Sequence, residues 1–289
     1  MREEPLVSVV IPSYNRKDKI LKSVDSVLEQ SYENLELIVV DDGSDDGTWE
    51  LFENFPDRRL SYIRCGENLG ACHARNLGAE RAAGELIAFQ DSDDSWHKDK
   101  LEKQVKHLKA TGADLSFCGM NRISSTGSSF YYPVHPFHPE KGLEEMLAEN
   151  RAGTQTMLMR REVWKTLRFD ESFRRYQDWD FSIRAAERFS LAYLPEALAD
   201  SEVGTDSISA SVNSYQALLH LYNEHLSLYR QYPASDAVMN RRMGKRLRRI
   251  QPEAAAVHFL KSFKISANPY DLFWYIRARI RAGKGGKVL

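Results

Sequence analysis

Short apolar runs and helically spaced segments alternate along the first third of the chain. The run LVSVVIP is rich in β-branched residues and stops at Pro12. The residues after it set Ile20, Leu21, Val24, Val27 and Leu28 at helical spacing, so a strand feeds a helix. LELIVVDDGS reads as a second strand closed by acidic and glycine turn chemistry, and DDGTWELFENF as the start of another helix. LSYIRC gives a third strand, GACHARNLGAERAAG a small-residue helix closed by Gly84, and ELIAFQ a fourth strand. Strands apolar on both faces in a repeated β-α-β-α order predict an α/β protein with a mostly parallel sheet flanked by helices. Beyond Trp96 the alternation breaks. LSFCGMNRI and SSFYYPV flank SSTG as a hairpin, TQTMLMR is a further strand, and RYQDWDFSIRAAERF is a helix opened by acidic residues. From Asn213 onward the pattern is helical.

Ligands of parallel sheets bind beyond the carboxyl ends of the strands. The residues that follow strands one, two and four are Pro12-Ser13-Tyr14-Asn15, Asp41-Asp42-Gly43-Ser44 and Asp91-Ser92-Asp93-Asp94, so three polar clusters are predicted to meet on one rim. Taken alone, the last cluster reads as a solvated acidic turn that caps the helix beginning near Lys98, since Asp serves turns and caps readily. Convergence with the other two clusters favours a ligand site instead.

Composition changes this picture in one respect. Hydrophobic residues at 42%, charged residues at 28% and a net charge of -1 are ordinary for a globular protein. The near-neutral total hides an asymmetry: from Arg241 to Leu289 there are 13 Lys and Arg against Glu253 and Asp271, a net of +11, which leaves -12 for residues 1–240. Cys65, Cys72 and Cys118 show neither C-x-x-C spacing nor a histidine cluster, and read as buried thiols of a reducing compartment. The amino-terminal segment lacks the apolar core of a signal peptide, and no apolar run approaches the length of a membrane span. The expectation is a cytoplasmic protein, soluble or peripheral at the inner face of a membrane.

The segments VSVVIPSYNR, ELIVVDDGSDDGT, ENLGACHARNLGAERAAGELIAFQDSDD and YQDWDFSIRAAE resemble, in order and spacing, the family 2 glycosyltransferases, enzymes of GT-A fold that use nucleotide-sugars. The resemblance runs from about Val7 to about Ser209. It implies a GT-A catalytic domain over residues 1–210, with a nucleotide-sugar half at about 1–96 and an acceptor half at about 97–210, followed by a basic helical extension over 211–289. It also implies inverting transfer of a sugar, with a UDP-sugar as the expected donor, to a hydroxyl of a glycan or lipid-linked saccharide in cell-surface polysaccharide synthesis. By the same resemblance Asp93, helped by Asp91, would hold Mn²⁺ or Mg²⁺, a hard cation suited to oxygen ligands and able to neutralise a departing diphosphate. Asp41 and Asp42 would bind base and ribose, Arg75 the nucleotide, and Pro12, Ser13 and Tyr14 the base pocket. Asn68 and Gly70 would let the backbone approach the ligand, with Asp91 and Ser92 completing the set. Asp178 is the candidate base; Gln177 stands where relatives carry Glu, and Asp180 points to another helix face. Gly204 occupies the place of a histidine common among relatives. His73, His97 and His135 have no ligand-like spacing.

Local alternatives stand beside these roles: an Asx turn for Asp42 with Ser44, and a surface helix position for Arg75. A nucleotidyltransferase would present a glycine-rich basic loop after the first strand, where IPSYNRKDK has no glycine; a nicotinamide enzyme would present G-x-G-x-x-G. A catalytically silent sugar-nucleotide-binding subunit would not need Asp178. The basic tail has two readings. On NPYDLFWYIRARIRAG, Leu272, Phe273, Ile276 and Ile280 share a side, with Arg277, Arg281 and Lys284 towards another. This suits either a helix at an anionic membrane or a docking helix with its arginines in water. No nucleic-acid module accompanies the charge.

Overall fold

The computed structural model describes residues 4–124, 126–127, 129–133, 136–203 and 212–285. By contacts the chain divides into two units, one of residues 1–142 and 150–205, the other of residues 143–149 and 206–289.

The first unit is built on a sheet. Strand β1 (Val7–Ser13) is buried at every position, as its unbroken apolar run predicts, and it pairs in parallel with β2 (Leu35–Asp41) and β4 (Leu86–Phe89). Strand β3 (Leu60–Arg64) adds in parallel to β2. The sheet then continues through β8 (Met157–Arg160), β6 (Leu115–Ser124), β9 (Leu191–Val203) and β5 (Ser95–Trp96), with antiparallel pairings at β4–β8, β8–β6 and β9–β5 and a parallel one at β6–β9. Strand β7 (Ser129–Tyr132) forms a hairpin with β6, as the sequence predicts. Helices α1 (Ile20–Leu28), α2 (Ala71–Arg81), α3 (Lys100–Thr111), α5 (Arg161–Leu167) and α6 (Gln177–Arg188) accompany the sheet. Ile20, Val24 and Val27 of α1 join β1 and β2 in one apolar core.

Helix α2 lies unusually close to β1. A Cβ on Gly78 would come 2.4 Å from Val10 Cγ1, so only glycine permits this packing. The closeness matters because α2 carries Arg75.

The segment DDGTWELFENF does not continue as a helix. It makes one 3₁₀ turn at Thr48–Leu51, started by Asp46, whose Oδ1 accepts from Thr48 N at 3.0 Å. Its aromatic residues fold back instead: Phe52 stacks on Tyr62 of β3 with ring centroids 4.7 Å apart. The three cysteines are free, and burial pushes the Cys72 and Cys118 thiols up to about 11.

The second unit is helical among its described residues. It contains most of α4 (Gly142–Ala148) and all of α7 (Val212–Glu224), α8 (Leu226–Gln231), α9 (Pro233–Leu247), α10 (Pro252–Ser266) and α11 (Pro269–Gly285). Proline opens α9, α10 and α11, where its missing N–H costs nothing. Leu247, Ala255, Ala256, Phe259 and Ala278 form this unit's own small core.

Candidate active site

The parallel register brings the ends of β1, β2 and β4 together: Ser13 stands beside Asp41, and Phe89 beside Val10. Beyond them opens a cleft of about 370 Å³. Pro12, Ser13, Tyr14, Asp42, Asn68, Gly70, Arg75, Asp91, Ser92 and Asp93 all line it, so ten of the positions singled out in the sequence share one cavity. Arg16 joins them, the last residue of the VSVVIPSYNR segment and one given no role by the sequence.

The two aspartates at the end of β2 do different things. Asp41 is fully buried and does not line the cleft; its Oδ1 accepts from Ser44 N at 2.8 Å and its Oδ2 from the Tyr62 hydroxyl. Asp42 reaches across the chain, accepting from Leu69 N at 3.0 Å and Gly70 N at 2.7 Å. The Asx-type turn thus belongs to Asp41, whereas Asp42 holds the loop that starts α2. Gly70, at φ 101°, makes that entry in a conformation closed to ordinary side chains.

Arg75 is only 5% exposed. Its Nη2 donates to Asp91 Oδ1 at 2.7 Å, while its Nε and Nη1 are buried without a hydrogen-bond partner. The guanidinium is held from below by Phe169, 5.5 Å from the ring centroid. Phe169 is in turn fixed to α2 by Asn76, which donates to its carbonyl at 2.8 Å and accepts from its N–H at 2.9 Å. The Ser13 hydroxyl is a second buried group with no partner. Unpaired buried donors are costly, and here they border an open cleft where a ligand can satisfy them.

The acidic turn does not cap α3. Asp99 is the residue at that helix start, and its side chain makes no capping bond. Asp91 is balanced by Arg75, and Asp93, about 40% exposed, lies 3.8 Å from Arg16. Asp94 turns inward to accept from Gln155 Nε2 at 2.7 Å. Burial, with the charges of Asp91 and Asp93 adding to it, pushes the Asp94 carboxyl up to about 8, against the pull of hydrogen bonds from Ser201 and Gln155. Among the described residues no three His, Cys, Asp or Glu side chains converge as a complete metal cage. Two carboxylates on a cleft rim still fit a Mg²⁺-like ion, which takes one or two protein carboxylates and fills its shell with phosphate oxygens and water.

A second cavity of about 320 Å³ shares Arg75, Asp91 and Asp93 with the first and adds Asp178, Asn150, Arg122 and Gln155. Asp178 stands in the first turn of α6, after Tyr176 in the left-handed conformation at φ 61°. Its carboxylate is fixed on both oxygens, by Asn150 Nδ2 at 2.8 Å and Trp179 N at 2.8 Å. Desolvation raises its pKa above the ordinary carboxylate value, and these two donors pull it back. Gln177 lines the same cavity. Asp180 faces away and is held by Arg184, with Nε at 2.9 Å and Nη2 at 2.5 Å. His73 meets Glu171 at 3.3 Å and His97 meets Asp200 at 3.1 Å, while His135 and Gly204 lie outside the described residues.

Residues 8–169 match the family described as Glycosyl transferase family 2. TuaG of Bacillus subtilis (strain 168), named for teichuronic acid biosynthesis, is 36% identical over 212 residues, 72% of this chain and 83% of that protein. The Escherichia coli protein named UDP-Glc:alpha-D-GlcNAc-diphosphoundecaprenol beta-1,3-glucosyltransferase WfaP is 39% identical over 112 residues, 39% of this chain and 45% of its own. Among solved structures, the mannosyltransferase PcManGT from Pyrobaculum calidifontis, in complex with GDP-Man and Mn²⁺, superposes with a TM-score of 0.65 over 99% of this chain and 80% of that one, at 20% identity. The sheet with its flanking helices is accordingly a GT-A fold, and the chain belongs to glycosyl transferase family 2 as a nucleotide-sugar-dependent glycosyltransferase.

Proposed function

We propose that the protein is an inverting glycosyltransferase that moves a sugar from a UDP-sugar to a hydroxyl of a lipid-linked or surface-polysaccharide glycan. The observation that carries this reading is the shared wall of the two cavities: Arg75, Asp91 and Asp93 border both the cleft at the strand ends and the cavity that holds Asp178. A donor in the first cavity would present its anomeric carbon towards a carboxylate in the second.

Each residue then has a defined task. Tyr14, 45% exposed, packs on the base, with Pro12 and Ser13 beside it, while Asp42 keeps the Asn68–Gly70 backbone at the ribose and phosphate side. Asp41 acts at one remove, by fixing Ser44 and Tyr62. The unpaired N–H groups of Arg75 meet the diphosphate, and Ser92 adds a hydroxyl nearby. Asp93 and Asp91 would hold Mn²⁺ or Mg²⁺, which when bound offsets negative charge on the leaving diphosphate. Asp178 accepts the acceptor hydroxyl's proton as that oxygen bonds to the anomeric carbon and the bond to the diphosphate breaks, its electron pair going to the phosphate oxygen. Attack from the face opposite the diphosphate inverts the anomeric centre and needs no covalent intermediate.

WfaP is named for a UDP-sugar and a diphosphoundecaprenol-linked acceptor, and TuaG for teichuronic acid biosynthesis, which supports this donor and acceptor class. PcManGT carries GDP-Man, so the nucleotide is tested directly. Thermal stabilisation by UDP with Mn²⁺, exceeding that by GDP, dTDP or ATP, is the expected result. Asp178→Asn should leave that stabilisation intact and cut transfer by on the order of 10² or more, the usual worth of a positioned base. A collapse of nucleotide binding in the variant would make Asp178 a binding residue. No described helix is long and apolar enough to cross a membrane. Contact with an anionic membrane through the carboxyl-terminal helices would bring the enzyme to such an acceptor at the cytoplasmic face.

A further inference from the structure

Two acids of the helical unit are taken up by basic side chains of the same unit. Asp271, fully buried, takes Arg241 on both oxygens at 2.7 and 2.8 Å, and Asp236 takes Lys261 at 3.2 Å. Four other arginines receive none. Arg248 and Arg249, from the turn between α9 and α10, and Arg277 and Arg281 of α11 surround a notch of about 460 Å³ floored by Trp274 and Ala278. Among the described residues no carboxylate pairs with any of the four. Arg248 and Arg277 rest on the faces of Trp274, at 4.3 and 5.6 Å from its centroid, so the aromatic ring props the charges in place.

Four like charges around one concavity repel unless an anion fills it, and guanidinium groups make charge-assisted, often bidentate hydrogen bonds to phosphate oxygens. The rim indicates the rest of the ligand. Ile280, 55% exposed, borders the notch, and Leu272, Phe273 and Ile276 continue from it along α11 as exposed apolar side chains. At 3.6 residues per turn these four form one stripe opposite Asp271 and Ala278, with Arg277 and Arg281 on one flank and Arg279 on the other. A soluble phosphate compound would have no use for the stripe. A bilayer uses both, with headgroup phosphates at the arginines and the upper acyl chains at the stripe.

We propose that the face of α11, together with the Arg248–Arg249 turn, is a docking site for anionic phospholipid bilayers, with the four-arginine notch seating a headgroup phosphate. This deepens the membrane reading and rests on it, and it is independent of the transfer chemistry. It adds to the helix two residues from a different part of the chain.

Co-sedimentation of the full chain with phosphatidylglycerol-containing and with purely phosphatidylcholine vesicles tests both levels. Recovery with the anionic vesicles, weakening as salt rises, is expected; equal recovery with both, or none, overturns the membrane reading and the notch with it. Arg249→Gln/Arg281→Gln removes two exposed charges that make no intramolecular pair. At about 1 kcal/mol per basic residue near an anionic surface, its partition should fall about 30-fold. Arg81→Gln/Lys109→Gln, an equal charge loss in the catalytic unit, should change it far less. Equal losses in the two variants would leave general attraction to the membrane and overturn the notch. Ile276→Ser/Ile280→Ser should also weaken vesicle binding while leaving heparin binding unchanged. Vesicle binding untouched by this pair would make the surface a soluble-polyanion patch and sink the lipid assignment.

Discussion

At the scale of single residues, Asn150 sets the behaviour of Asp178. The carboxylate is raised above its ordinary range by burial and, to a smaller extent, by Asp91, while the Asn150 amide stabilises the charged form. A base works only when deprotonated, so transfer should fall as pH drops through this raised value. Removing the amide by Asn150→Ala should push the value further up and move the acid limb of the kcat profile to higher pH. A limb that stays where it was would mean that Asn150 only fills space. Asp178 was legible because it opens a helix in the YQDWD motif, but Asn150 lies 28 residues earlier in a stretch without pattern. Gln155, which turns Asp94 inward from 61 residues away, was hidden for the same reason. The spacing that betrays a motif comes from local geometry, and these partners meet only through the sheet. Asp41 and Asp42 show the reverse limit: adjacent identical residues point to opposite sides of a strand end, and sequence could not say which would turn in.

Among elements, the strands with continuous apolar runs were read correctly because burial on both faces leaves no other use for them. The aromatic stretch after β2 has the pattern of a helix start, yet Phe52 stacks on Tyr62 and Phe55 packs at a tilt on Phe52, and tertiary contact outweighs the local pattern. Helix α3 carries a different anomaly. Lys100 is wholly buried; its Nζ lies 3.8 Å from the Trp96 ring centroid and donates to Gln104 Oε1 at 2.6 Å. Burial lowers its pKa from 10.5 to about 8. Between those values the unfolded chain binds more protons than the native one, so Lys100 makes native stability climb as pH rises from about 8 to 10.5. Lys100→Met should flatten that climb. It should also stabilise the protein at neutral pH by on the order of 1–2 kcal/mol, the relieved desolvation less the lost ring and amide contacts. Denaturant melts at several pH values would show it, and a destabilised variant would mean that the contacts outweigh the burial.

For the whole molecule, charge asymmetry announced two kinds of surface, but not that residues 143–149 group with the helical unit. There Tyr229 Oη donates to the Leu147 carbonyl at 2.9 Å and Ser235 Oγ to that of Glu144 at 2.8 Å. The helical unit is braced by Asp271, which takes Arg241 of α9 on both oxygens and Ser262 of α10 at 2.7 Å on one. Asp271→Ala would strand a half-buried guanidinium, and a loss of about 3–5 kcal/mol is expected from thermal or denaturant unfolding of this unit. A loss below 1 kcal/mol would show the brace to be dispensable. Asp271 also acts as an index pin. A helix whose outer side carries Phe273, Ile276 and Ile280 and whose inner side holds only a small core could otherwise roll about its axis to hide them. One carboxylate, clamped from two neighbouring helices, fixes the rotational phase of α11, so that greasy side chains stay turned outward in a protein that gains nothing in stability from showing them.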